Sequence, residues 1–139
     1  MNKKKESKRV RFSRVSYFVL AAIFALCIVL QVFLAGLSVF VSPVNWMNHQ
    51  AFAHAFGMNL PLFMLLVAFI GKMPRWAYLH TVGLLVFIFL MYLTANMTAV
   101  IPWVAALHPI FAMVLFIQPG VILQKSWKLI VKNKEKFEG

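Results

Sequence analysis

Acidic side chains are almost missing from this chain. Of 139 residues only Glu6, Glu135 and Glu138 carry a carboxylate, against fourteen Lys and Arg. None of the three lies in an apolar run. A cation carrier or a carboxylate-based proton relay needs an acid there and has none to use. Cysteine is nearly absent as well: Cys27 stands alone in the first apolar run. It excludes an internal disulfide and a thiolate metal cage, and reads as a small apolar filler. No Ser-His-acid set, His-Glu-x-x-His segment or phosphate-cradling glycine loop occurs, so no catalytic motif supports an enzyme. A redox role would require a bound cofactor. Repeats are missing too, and with them the inverted halves typical of secondary transporters.

The most telling absence is charge itself. From Val15 to Gly71, and again from Trp76 to Gln124, no side chain is charged. The apolar runs are continuous rather than alternating, which excludes a transmembrane barrel. What fills them is hydrophobic: 63% of the chain is apolar and its mean hydropathy is +0.84. Soluble domains hold roughly 45–50% apolar residues, so a lipid-facing exterior is the economical explanation.

About twenty apolar residues cross the hydrocarbon core, so each uncharged stretch has room for two spans. The expected spans are 16–41, 49–70, 76–99 and 102–123. Ser42-Pro43 ends the first and Asn45-Trp46-Met47-Asn48 makes a short turn. Pro61 kinks the second, and Gly71 to Arg75 is a compact loop. Pro119-Gly120 suggests a bend or an early finish to the fourth. Short loops make successive helices antiparallel neighbours, giving an all-α, up-down-up-down four-helix bundle. All Lys and Arg then fall on one side, in Lys3 to Arg14, Lys72 to Arg75 and Lys125 to Lys136. Cytoplasmic loops favour these residues, so both termini are expected in the cytoplasm. Trp46 and Trp103 mark the outer interface, Trp76 and Trp127 the inner one.

Residues 1–15 and 125–139 are therefore basic cytoplasmic tails around a membrane domain at 16–124. The N-terminus also resembles the start of a signal peptide, but its apolar run outlasts the usual 7–15 residues, favouring retention as a first span. Lys125 to Lys132 suits a short amphipathic helix on the inner surface. The net charge of +11 flanks apolar spans instead of lining a folded face. Anionic lipid headgroups are its expected partner, and nucleic acid is not.

Four histidines are the only groups in or beside the spans that titrate near neutrality. His49 reads as a solvated residue at the outer mouth, and His80 as a hydrogen-bonding partner for a carbonyl or water near the inner surface. His54 and His108 lie roughly 6–8 Å below the outer ends of two parallel spans, given 1.5 Å rise per residue. Alanines and glycines surround both. They are candidate axial ligands of a b-type haem, although no Lys or Arg in the outer loops would meet its propionates. Gln31, Asn59, Tyr92 and Asn96 add a polar side chain from each remaining position around the bundle, lining an outward-facing polar cavity. An interhelical hydrogen-bond network explains the same residues without a cofactor. A quinone or lipid is a further candidate ligand, with His, Gln and Tyr donating to a carbonyl. Pro109 either loosens the turn carrying His108, by freeing the Ala105 carbonyl, or simply belongs to a helix start.

Three local patterns carry a resemblance: Gln31-Val32-Phe33-Leu34-Ala35-Gly36 with Phe40, Trp46-x-x-His49 with His54 and Gly57, and Leu107-His108-Pro109. Together, over about residues 16–123, the chain resembles an uncharacterised family of small bacterial four-helix membrane proteins. The resemblance implies a multi-pass protein of the bacterial cytoplasmic membrane and points to Gln31, His54 and His108, without implying a mechanism. Function is thus expected to be that of a small accessory protein or subunit of a larger membrane complex or homo-oligomer, with haem-based electron transfer as the alternative.

Overall fold

A computed structural model describes residues 7–138, with side chains to Val131; Lys3, Lys4, Lys5, Glu6 and the side chains of Lys132, Lys134, Glu135, Lys136 and Glu138 lie outside the described residues. The chain is all-helical, with α1 Lys8–Phe40, α2 Asn45–Phe56, α3 Asn59–Ile70, α4 Arg75–Asn96, α5 Pro102–Ala105 and α6 His108–Glu138. Four segments are long and apolar enough to cross a membrane: Lys8–Phe40, Asn45–Ile70, Arg75–Asn96 and Pro102–Val131.

Several boundaries differ from expectation, each for a local reason. Helix α1 starts at Lys8, where Ser7 accepts a hydrogen bond from the Val10 amide at 3.3 Å. A serine N-cap satisfies one orphan amide, so the basic segment joins the helix instead of preceding it. Residues 45–48 form the first turn of α2 rather than a loop. The second span is divided, not merely kinked: it breaks at Gly57-Met58, and Pro61 is the third residue of the new helix. Proline is harmless in a first turn because no donor is needed there. Pro109 is likewise the second residue of α6, which favours the helix-start explanation over a loosened turn. Pro119 neither ends nor splits α6, which runs on through 125–132 without a separate surface helix. Its ring is fully buried in the bundle, and the lost bond to the Leu115 carbonyl is the only local penalty.

The core is assembled from one stripe per long helix. Tyr17, Ala21, Phe24 and Ile28 are buried on α1, Ala77, Thr81, Leu84 and Ile88 on α4, and Leu115, Pro119, Ile122 and Ser126 on α6. Each set is spaced four, three and four residues, which keeps one face of a helix against its neighbours. Met64 and Ala68 of α3 complete the cluster. The outer faces are apolar as well, with Phe12, Phe40, Phe69 and Leu79 each more than 70% exposed. Water would oppose such a surface, whereas hydrocarbon accepts it.

Two ends of the bundle differ. At one, Arg9 and Lys72 flank the same shallow pocket, Arg14 lies against Gly71, and Lys125 sits 5.6 Å from the Trp76 ring centroid. This basic end is closely packed: Tyr17 meets Trp76 edge-on at 6.4 Å and Phe18 meets Trp127 at 5.8 Å. Tyr17 and Thr81 both lie within hydrogen-bonding distance of the Ala77 carbonyl, at 3.2 and 2.8 Å, and their hydroxyl oxygens are 2.8 Å apart. The α3 helix ends with Met73 N–H donating to the Ala68 carbonyl and Lys72 N–H to Phe69, with Lys72 at φ 46°. That closing pattern usually places glycine at the left-handed position, and a lysine there costs about 1 kcal/mol. Gly71, one residue earlier, serves close packing instead: a Cβ there would stand 3.0 Å from that of Ser13. His80 Nε2 accepts a hydrogen bond from Lys125 Nζ at 2.9 Å, while its carbonyl receives Gln118 Nε2 at 2.9 Å.

Gly83 is what lets Gln118 reach that carbonyl, since a Cβ would stand 2.6 Å from Gln118 Nε2, while Gly120 has open space around it. An unobstructed Gly→Ala change in a helix stabilises by about 1 kcal/mol. Gly120→Ala should deliver that gain in denaturant unfolding of the detergent-solubilised protein. Gly83→Ala should fall about 1–2 kcal/mol short of it, because the displaced Gln118 amide loses its acceptor and is left an unmet donor. Equal gains at both positions would refute the Gln118 clasp.

Candidate functional site: a cavity at the histidine end

Roughly 20 Å further along α1 than Tyr17, at 1.5 Å per residue, Gln31 reaches the first turns of α2. Its Nε2 donates to the His49 carbonyl at 2.8 Å, and His49 Nδ1 lies 3.2 Å from the Gln31 carbonyl. A carbonyl oxygen can only accept, so Nδ1 carries the proton and Nε2 of the neutral ring keeps its lone pair. Trp46 stands edge-on to the same ring at 5.3 Å. His49 is therefore half-buried and tied to α1, not a freely solvated residue at the mouth.

His108 is fixed by the same logic. Its Nδ1 is 3.1 Å from the Met91 carbonyl and 3.1 Å from Thr94 Oγ1. Thr94 itself lies 2.8 Å from the Leu90 carbonyl, to which its own proton goes. The imidazole N–H is thus the donor to both oxygens, and Nε2 is again the acceptor. Break and bond act together here: α5 ends at Ala105, and the restart at His108 aims the ring across to α4.

Tyr92 donates to the Ala53 carbonyl at 2.9 Å, linking α4 to α2. His54 is exposed and stacks flat on the Tyr92 ring, with centroids 5.2 Å apart and 9° between planes. Asn96 donates to the Tyr92 carbonyl of its own helix at 2.8 Å. Asn59 donates to the Ala55 carbonyl at 2.9 Å and does not line the cavity that the others share.

That cavity has a volume of about 230 Å³, and Gln31, His49, His54, Tyr92, Asn96 and His108 form its polar wall. A second, mostly apolar hollow of about 540 Å³ adjoins it and shares Gln31, His49, Met91 and His108. Its sides are Ile28, Val32 and Ala35 of α1 and Ala112, Met113 and Phe116 of α6. These are single helical stripes turned toward each other with a groove between them. Among the described residues, no carboxylate, Lys, Arg or Cys lines either space.

Five of the six expected site residues thus meet around one cavity, and Asn59 stays apart. Sequence reasoning did not select His49, Met91 or Thr94. His49 was placed in the mouth because 45–48 read as a turn; the Trp46-x-x-His49 spacing, three residues on one helical face, was the available signal. Met91 and Thr94 contribute main-chain or local contacts that leave no trace in hydropathy.

Nothing in the geometry supports the alternative in which His54 and His108 are axial ligands of a haem. His54 lies exposed against Tyr92, without the bond to a carbonyl that orients an axial imidazole, and no cation of the lining meets a propionate. Among the described residues no group of three His, Cys, Asp or Glu is placed to hold a metal ion.

Fold and cavity together define an all-helical protein with four segments long and apolar enough to cross a membrane and a pocket among them. Residues 31–99, about half of the chain, match the profile of a family of unknown function, DUF6220. The expected resemblance to an uncharacterised family therefore holds, and the match takes in Gln31, His49, His54 and Tyr92 while His108 lies beyond it. No curated protein and no solved structure matches the chain.

Gly57 makes room for the Tyr92 phenol, since a Cβ there would come within 2.9 Å of that oxygen and 2.6 Å of the Ala53 carbonyl. Gly57→Ala should destabilise the solubilised protein by about 1–3 kcal/mol through overpacking. Tyr92→Phe, which removes only the hydrogen bond, should cost about 0.6 kcal/mol. Thermal unfolding of both variants checks the ranking.

Proposed function

We propose that this protein is a membrane-embedded binding protein for a small single-tailed amphiphile, and not an enzyme. The supporting observation is the pairing of a polar cavity with a larger apolar groove across one wall of Gln31, His49, Met91 and His108. Ligand sites typically offer about 300–1,000 Å³ of mostly apolar space with a few convergent polar groups, and the two hollows together fall in that range. A polar head occupies the first and an apolar chain lies along α1 and α6 in the second. Small residues keep the groove open: Ala35 and Ala112 face it where larger side chains would close it. The lining holds no nucleophile paired with a base and acid, so binding rather than conversion is the role it suits. Delivery of the ligand to a larger membrane complex would make the protein the accessory subunit that its sequence suggests.

In this reading the four spans run up-down-up-down with both tails in the cytoplasm, which places the cavity in the outer half of the bilayer. The gathering of Arg9, Arg14, Lys72 and Lys125 at one end supports that threading, because translocating such charges is costly. With Cys27 replaced by Ser, a cysteine at Asn48 should react with an impermeant maleimide added to intact cells. One at Lys72 should react only after permeabilisation. The reverse pattern would invert the protein and put the cavity on the cytoplasmic side.

The binding role itself is tested by mass spectrometry of organic extracts from the purified protein. One amphiphile should be enriched at least about tenfold over bulk membrane lipid, a difference of about 1.4 kcal/mol. Ala112→Trp, which fills the groove, should abolish the enrichment while leaving a cooperative unfolding transition. An extract of the same composition as the surrounding membrane would sink the proposal.

A further inference from the structure

Resting on that reading, we infer that the polar end of the ligand is a hydrogen-bond donor, an alcohol or phenol hydroxyl, whose single proton goes to Nε2 of His49 or to Nε2 of His108. The inference comes from taking the polar atoms of the site in turn. Its inner donors are spent on the protein. Gln31 Nε2 goes to the His49 carbonyl, Tyr92 to the Ala53 carbonyl, and Nδ1 of His49 and of His108 to the carbonyls of Gln31 and Met91. What remains at the wall between the two spaces is mainly acceptors, beside the second proton of the Gln31 amide. The two Nε2 atoms have no hydrogen-bond partner among the described residues, and both rings line both spaces. Gln31 Oε1, on the same wall, is buried without a partner.

A carbonyl-headed ligand such as a quinone would bring more lone pairs to a wall already made of them. This reverses the donor role that the sequence alone suggested for His, Gln and Tyr. A cation or metal ion would suit imidazole lone pairs, but no carboxylate lines either space to balance its charge. A neutral hydroxyl meets an acceptor without importing charge, and Gln31 Oε1 on the same wall is buried, where an unmet acceptor is costly. Gln50 and His54 stand at the exposed rim, where water or further ligand atoms meet them.

The experiment compares 4-decylphenol with its methyl ether, 4-decylanisole, and with decyl phenyl ketone. Binding of each to the full-length protein in lipid nanodiscs is read by fluorescence of Trp46, in a variant whose other tryptophans are Phe. The phenol should bind at least about tenfold more tightly than the ether, about 1.4 kcal/mol, and the ketone no better than the ether. At least one of His49→Phe and His108→Phe, the one that removes the receiving Nε2, should bring the phenol-to-ether ratio toward one, and a ratio unchanged in both overturns the assignment. Because the readout is a ratio within one protein preparation, it survives a general loss of affinity. Should a histidine variant fail to fold, the wild-type ratio still decides. Equal binding of phenol and ether, or preference for the ketone, overturns the donor assignment while leaving amphiphile binding intact. Failure of all three probes to bind overturns the binding function beneath it. Retention of a stoichiometric metal ion that both histidine variants lose would also overturn the assignment.

Discussion

A side chain that is polar inside hydrocarbon must find its partner within the protein, and in this bundle the partner is usually another helix's main chain. Gln31 reaches His49, Tyr78 reaches Ala68, Tyr92 reaches Ala53, His108 reaches Met91 and Gln118 reaches His80, each ending on a carbonyl oxygen. Each such bond contributes only about 0.6 kcal/mol in measured membrane proteins. Their value here is register. A carbonyl already inside its own helix has a spare lone pair at a fixed height, and a donor from the next helix sets how far the two slide. The polar atoms that might have been a burden in lipid thus become the pins that locate one span against another.

The two ends of the bundle use this device differently. At the basic end the pins sit among interlocking rings, Tyr17 against Trp76 and Phe18 against Trp127, and the stripe residues between them are buried. At the histidine end the same kinds of bond span a gap. Gln31 with His49, and His108 with Met91, hold their helices in place while α1 and α6 turn small residues toward the apolar groove. Close packing elsewhere is what allows this looseness. Stability concentrated at one end leaves the other free to keep a hollow, as functional sites commonly require.

Much of this was legible in the chain before any coordinates. Uncharged runs of this length leave little alternative to long apolar helices, and four segments able to cross a membrane overlap the expected ones, although the first begins at Lys8 instead of 16 and the fourth runs to Val131 instead of 123. The polar residues of the cavity were also visible, because a Gln, His or Tyr inside an apolar run stands out. The misplacements share a cause: backbone breaks depend on tertiary packing that composition does not record. Pro61 was visible, yet the division fell at Gly57-Met58, where the Tyr92 phenol needs space. Pro119 looked like a terminator and is instead a buried member of the α6 stripe. His49 was misjudged because its helix begins one turn earlier than the local turn residues suggested, and the partner that holds it, the Gln31 carbonyl, is invisible to any reading of side-chain types.

The main-chain character of the acceptors has a consequence for how the sequence can drift. Every amino acid carries a carbonyl, so Ala53, Ala68, His80 and Met91 offer the same oxygen whatever side chain replaces them. The specification of each clasp therefore resides on one partner alone. Variation at the receiving positions leaves the grip untouched, whereas Gln31, Tyr78, Tyr92, His108 and Gln118 have few substitutes of matching reach. Compensating pairs of changes, the usual trace of contact between two residues, would be scarce in such a bundle even where its helices hold each other most firmly.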